Sequence, residues 1–146
     1  MTGKGASGAK RILGLDYGTR RIGVSVSDPF LTIAQGVGTF IHSAKVIEEI
    51  QALVDRYDVG LIVVGIPFHQ GGRISEVGLQ ARAFIDKLRT EVGVDVVEWD
   101  ERFSSKMAEQ TMRFMGAKKR QRQNKAKVDE IASALILQSY LDSRKQ

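Results

Sequence analysis

The segment from Ile12 to Asp28 constrains this chain more than any other: Ile-Leu-Gly-Leu-Asp16-Tyr-Gly18-Thr-Arg-Arg-Ile22-Gly-Val-Ser-Val-Ser-Asp28. Two apolar runs flank a short glycine-containing turn, the pattern of two antiparallel strands. Asp16 closes the first run, among residues that favour burial. A lone carboxylate there is costly unless a cation pairs with it. A cation beside a polyanion points to phosphate chemistry. The plainer alternative is an Asp whose side chain organises the turn at Gly18.

The rest of the chain reads as alternating strands and helices. Residues 11–17 and 22–28 form the hairpin, and 32–40 a weaker third strand interrupted by Gly36 and Gly38. Residues 43–57 carry apolar side chains at helical spacing, with Ser43 as the expected N-cap. The unbroken apolar run 59–65 suits a strand buried on both faces. A loop with Pro67, Gly71 and Gly72 leads to a helix over 75–91 and a fifth strand over 94–99. Residues 104–115 suggest a short helix, and 127–143 the last one. The order β-β-β-α-β-α-β-α predicts an α/β fold. Its five-stranded mixed sheet combines an antiparallel meander with parallel strands and carries helices on both faces. Residues 1–10 are expected to be a disordered tail, and 11–146 a single domain.

Among 146 residues there is no Cys, which excludes disulfides, thiolate metal sites and a Cys nucleophile. No apolar run reaches membrane-spanning length, so the cytoplasm is the expected location and no membrane partner is expected. The net charge of +5 is less telling than its distribution. Arg20 and Arg21 sit on the hairpin, and Lys118, Lys119, Arg120, Arg122, Lys125 and Lys127 crowd one stretch. Such clustering is the electrostatic footprint of nucleic-acid binding, though a solvated surface gives the same pattern.

Three element ends carry acids. Asp16 closes strand one, Asp100 and Glu101 follow strand five, and Asp129 lies in the first turn expected for the last helix. In open α/β sheets, sites form at the carboxyl ends of parallel strands, which could bring the three together. Asp129 shares a helix face with Ala132, Ser133 and Ile136, and the small residues permit close approach to the sheet. Placement near a helix N-terminus explains Asp129 equally well. Asp100 and Glu101 must point to opposite faces, and spacing does not choose between them. His42 and His69 are too far apart in sequence to suggest a ligand pair.

These motifs, with Val-Val-Gly65-Ile-Pro67, Asp100-Glu101-Arg102-Phe-Ser-Ser and Lys127-Val-Asp129-Glu-Ile-Ala-Ser-Ala-Leu-Ile-Leu-Gln, closely resemble the YqgF family, also called RuvX. The resemblance runs from about Arg11 to Asp142. It implies a ribonuclease H-like fold and similarity to Holliday junction resolvases. It also implies a nuclease that matures the 5′ end of pre-16S ribosomal RNA, with structured RNA, branched DNA and pre-ribosomal particles as partners. It carries catalytic and metal-binding roles onto Asp16, Glu101 and Asp129, and so favours Glu101 over Asp100. The loop Phe-His69-Gln-Gly71-Gly departs from the family pattern.

The expected chemistry is phosphodiester hydrolysis supported by Mg²⁺ or Mn²⁺ on carboxylate oxygens. Arg20, Arg21, Arg102 and the 118–127 cluster would neutralise flanking phosphates. Two rivals stand beside this reading. An ATP-binding lobe of the actin and sugar-kinase type shares the Asp16-Tyr-Gly18-Thr19 turn but needs a second lobe. A non-catalytic nucleic-acid-binding protein could keep the fold, but buried carboxylates would then lower its stability without use.

Overall fold

The computed structural model describes residues 10–69, 71–102 and 125–144. Its strands are β1 (Arg11–Asp16), β2 (Arg21–Ser27), β3 (Ala34–Ile41), β4 (Val59–Ile66) and β5 (Asp95–Asp100). Its helices are α1 (Val46–Tyr57), α2 (Glu76–Glu91) and α3 (Lys125–Ser143). The sheet order is β3-β2-β1-β4-β5. β1, β2 and β3 pair antiparallel, whereas β4 lies parallel to both β1 and β5. The expected mixed sheet is present.

Strand alternation sorts the core into two layers. Leu13 and Leu15 of β1, Ile22 and Val24 of β2 and Ile62 and Val64 of β4 pack with the apolar faces of α1 and α2. Ile12 and Val63 face the other way and pack with Ile136, Leu137 and Leu141 of α3. Burying each of these large side chains contributes about 1.5–3 kcal/mol, so the two apolar layers fix which face of every strand points to which helix.

Local signals set the helix ends. The Ser75 hydroxyl accepts from the Gly78 amide (2.9 Å) and donates to the Pro67 carbonyl (3.0 Å), capping α2 and tying the preceding loop to it. α1 starts later than expected. Its N-cap is Lys45, with no capping side chain, and the Ser43 hydroxyl accepts from the Lys45 amide at 3.2 Å. Residues 43–45 of the expected first turn form a bend and a tight turn instead, closed by the Val46 amide donating to the Ser43 carbonyl. α1 ends at Asp58 in the left-handed region (φ 53°), which Asp tolerates better than most residues. β3 is continuous despite its glycines. The register slips between Val24 and Ser25, so Val37 is the extra residue of a bulge.

α3 lies unusually close to the sheet, and glycine makes this possible. A Cβ on Gly14 would stand 2.8 Å from Cβ of Leu137, and one on Gly65 would stand 2.5 Å from Cδ1 of Ile136. A Cβ on Gly23 would penetrate the Asp129 backbone carbonyl. The Ser133 hydroxyl donates to the Gly14 carbonyl (2.9 Å) and lies 3.0 Å from the Ser25 hydroxyl, all of it buried. Glycine on the strand and serine on the helix together set the height of α3.

Candidate active site

β1, β4 and β5 end at one edge of the sheet, with Asp16, Gly65 and Trp99 side by side in register. Asp16 follows Ile12 and Gly14 in alternation and so faces α3. The Glu101 amide donates to the Ile66 carbonyl (3.1 Å), which prolongs the β4–β5 ladder by one step. Glu101 therefore shares the α3 face with Val97 and Trp99, which pack against that layer. Asp100 falls on the opposite face, where the Arg102 guanidinium donates to Oδ2 at 2.9 and 2.6 Å and to Oδ1 at 3.1 Å. On the other side of Asp16, Gly23 is its β2 partner, and Asp129 rests directly over that glycine. The described part of α3 begins at Lys125, so Asp129 is past the first turn. That corrects the expected helix start and removes the helix-dipole explanation for this acid, since dipole effects fade beyond the first turn.

The electrostatics follow from this convergence. Burial first, then the charges of Glu101 and of Asp129, push the Asp16 carboxyl up to about 8. Burial also raises Glu101, with Asp100 adding to it. Asp129 is held by Arg21, whose Nε donates to Oδ2 at 2.9 Å. Asp100 goes the other way, since the Arg102 hydrogen bond holds its carboxyl below the ordinary range. Among the described residues no three acids or histidines stand as a ready-made metal cage. The donor set is nonetheless hard carboxylate oxygen, which suits a hard divalent cation.

A cleft of about 210 Å³ opens here, lined by Asp16, Tyr17, Gly18, Thr19, Arg20, Arg21 and Asp129. His42 supports the lining residues 17–20. Its Nδ1 lies 2.9 Å from the Gly18 carbonyl, its amide donates to Arg20 (2.8 Å), and its ring packs on Tyr17 and Phe84. His42, not Asp16, organises the 17–20 turn, so the turn-forming explanation for Asp16 loses its basis. The His69 side chain is exposed, and its backbone closes a small hairpin through Arg73.

The expected basic residues have separate fates. Arg20 is exposed at the cleft mouth. Arg21 is half-buried against Asp129. Arg102 binds Asp100 and the His69 carbonyl and lies over the Phe68 ring at 5.3 Å, so it braces the 68–74 hairpin. Lys127 pairs with Glu130 at 3.4 Å. Lys118, Lys119, Arg120 and Arg122 lie outside the described residues, as do the side chain of Lys125, the 104–115 helix and the tail 1–9. Sequence reasoning missed the bracing role of Arg102 and the glycine floor under α3. The floor had a signal: Gly14 on β1 and Gly23 and Ser25 on β2 fall on one sheet face by alternation, opposite the small side chain of Ser133 on α3.

Comparison with known proteins agrees with the geometry. Residues 10–143 match the family model described as RuvX, Holliday junction resolvase. A protein of Caldanaerobacter subterraneus subsp. tengcongensis, named as a candidate pre-16S rRNA nuclease, is 41% identical over 92% of this chain and 98% of its own. A protein of the same name from Phocaeicola vulgatus is 42% identical over 92% and 97%. The structure of Thermus thermophilus RuvC in complex with a Holliday junction substrate superposes with a TM-score of 0.60, at 16% identity over 94% of this chain and 98% of that one. The fowlpox virus resolvase in complex with Holliday junction DNA gives 0.56, at 14% identity over 93% and 99%. These likenesses show the resolvase-type, ribonuclease H-like fold. With the match spanning nearly the whole chain, this protein belongs to the RuvX family.

Proposed function

We propose that this chain is a divalent-metal-dependent nuclease that hydrolyses phosphodiester bonds, with the 5′ end of pre-16S ribosomal RNA as its substrate. One observation carries the reading: Asp16, Glu101 and Asp129, from three separate elements, converge on one face of one sheet edge, where Asp16 is buried enough to hold a proton near neutral pH. The expense of that arrangement in stability has no structural return. The substrate follows from the relatives at about 40% identity that bear the pre-16S rRNA nuclease name.

Asp16, Glu101 and Asp129 are the proposed catalytic and metal-holding residues. A divalent ion held by such oxygens supplies Lewis acidity and lowers the pKa of water. The chain supplies the rest. α3 and the β-ladder fix the carboxylates on rigid elements rather than on loops. Arg20, exposed at the cleft mouth, meets an incoming phosphate. Lys118, Lys119, Arg120, Arg122, Lys125 and Lys127 are proposed to engage flanking phosphates, giving affinity with little sequence choice. Mg²⁺ and Mn²⁺ are the proposed ions, pre-ribosomal particles the proposed setting and the cytoplasm the proposed location. Among the described residues no helix is long and apolar enough to cross a membrane.

The test is cleavage of precursor 16S RNA and of four-way DNA junctions, side by side, with Mg²⁺, Mn²⁺ or EDTA. Metal-dependent cleavage of the RNA supports the reading. Cleavage of junctions alone reassigns the substrate, and cleavage of neither under any metal removes the nuclease assignment.

A further inference from the structure

Arg21 is the first residue of β2 and faces α3, directly beside the cleft. Its guanidinium makes a single contact, Nε to Asp129 Oδ2, and among the described residues no other hydrogen bond engages it. Both side chains are half-buried (30% and 27% exposed), so the pair is not a freely solvated surface bridge. Arg102 provides the contrast, with its donors committed to Asp100 and His69. Among the described residues, the two nitrogens at the tip of Arg21 have no hydrogen-bond partner, in a cleft that also holds Asp16.

We propose that Arg21 is a built-in counter-cation of the acid cluster: a divalent ion must displace its guanidinium from Asp129, and the displaced guanidinium then engages a phosphate oxygen of the bound nucleic acid. The inference rests on the metal-nuclease reading above. Two positive charges cannot both sit against one carboxylate without mutual repulsion, and in a half-buried site that repulsion is screened far less than in water. The ion and the guanidinium therefore compete for Asp129. The guanidinium holds its fork in a plane that matches phosphate oxygens, and it stays charged throughout. Arg21 is thus a positioning residue that exchanges partners when the metal arrives. Ion and nucleic acid then promote each other's binding through it, by an equal factor in either direction.

An ordinary structural staple between β2 and α3 gives the opposite sign. If Arg21 only fixes Asp129 in place, its loss scatters a ligand and weakens metal binding.

The experiment measures Mn²⁺ affinity of the purified full chain without nucleic acid, by the electron paramagnetic resonance signal of the free ion. Arg21→Gln and Arg21→Met remove the charge in two ways, so that a folding defect in one leaves the other. Either folded variant is expected to bind Mn²⁺ about tenfold more tightly than the parent. Arg21→Lys keeps a cation and stays within about threefold, as does Arg20→Gln, since Arg20 is exposed and screened. Unchanged or weaker Mn²⁺ binding in the neutral Arg21 variants overturns the proposal. A parent chain that binds no Mn²⁺ overturns the metal-nuclease reading as well, which separates the two failures. The second arm uses a 2′-O-methyl phosphorothioate RNA, which resists cleavage, and fluorescence anisotropy. Mn²⁺ should strengthen its binding at least about threefold more in the parent than in Arg21→Gln. Equal gains overturn the phosphate step.

Discussion

Gly23 lies directly beneath the backbone carbonyl of Asp129, in a gap that any side chain on Gly23 would invade. Gly23 is also the β2 partner of Asp16, so one glycine sets the distance between two of the three acids. Gly23→Ala forces the start of α3 off the sheet. Overpacking of this kind destabilises by about 1–3 kcal/mol. The variant is expected to stay folded, with a lower melting temperature, and to lose cleavage far beyond what its unfolded fraction explains. Thermal melting and cleavage rates on the same sample check this. Normal cleavage with a lowered melting temperature would show that the height of α3 does not govern the site.

Asp16→Asn keeps the size of the side chain and removes its charge. The Asp16 carboxyl is raised to about 8 in the fold, against an ordinary value of 3.8. The folded state thus binds its proton more tightly than the unfolded state does. The stability this proton contributes is fully present below about pH 4 and is lost as pH rises through 8. Without metal, the Asn variant should therefore melt above the parent at pH 8, and the difference should vanish near pH 4. Metal-dependent cleavage should disappear. Mn²⁺ should raise the melting temperature of the parent, by about 2.7 kcal/mol of stability at a hundredfold excess over its dissociation constant, and should raise that of the variant much less. A variant that melts below the parent at pH 8 would contradict this account of Asp16.

Much of this was legible in the sequence, for identifiable reasons. Strand alternation over 11–16 and 95–100 determines which face each residue takes, so the parity of Asp16, and the opposition of Asp100 and Glu101, follow from the pleat alone. Helix starts were less legible. Ser43 has the chemistry of an N-cap, but α1 begins after Lys45, because a cap requires backbone geometry that composition does not encode. An ion pair between Arg102 and one of its two neighbouring acids was legible from their adjacency, and Asp100 proves to be the partner. The partner of Arg21 was not legible, since a sequence shows a charge but not the acid that a distant element brings to it. Asp129 is 108 positions from Arg21, and only the folded register joins them.

The basic stretch is an expectation from sequence, because Lys118, Lys119, Arg120 and Arg122 lie outside the described residues. Counterion release makes each phosphate contact steepen the salt dependence of binding by about 0.7–0.9 in the log–log slope. Replacing these four by Ala should weaken RNA binding and flatten that slope by up to about three. Mn²⁺ affinity should not change. Binding measured across a salt series decides the matter, and a slope equal to the parent's would return this stretch to the role of a solvated surface.

Arg20 and Arg102 flank the same sheet edge and carry the same charge, yet their surroundings assign them different work. Arg102 is held by both oxygens of Asp100, donates to the His69 carbonyl and covers the Phe68 ring. Its charge is already compensated, and moving it to a phosphate would leave Asp100, whose side chain is only 15% exposed, without its partner. Arg20 is exposed at the cleft mouth and enters no ion pair among the described residues. Arg20→Ala should therefore lower the salt slope of RNA binding by about one contact, 0.7–0.9, and leave the melting temperature within the small range of surface changes. Arg102→Ala should leave the salt slope as it is. It should lower the melting temperature, since it strands a carboxylate and unties the 68–74 hairpin beside Glu101, and cleavage should fall through displacement of that acid. Arg102→Lys cannot reproduce the fork on Asp100 and should restore little. If Arg102→Ala instead flattens the salt slope with its melting temperature intact, the residue contacts phosphate after all, and the hairpin is braced by Ser75 and Pro67 alone.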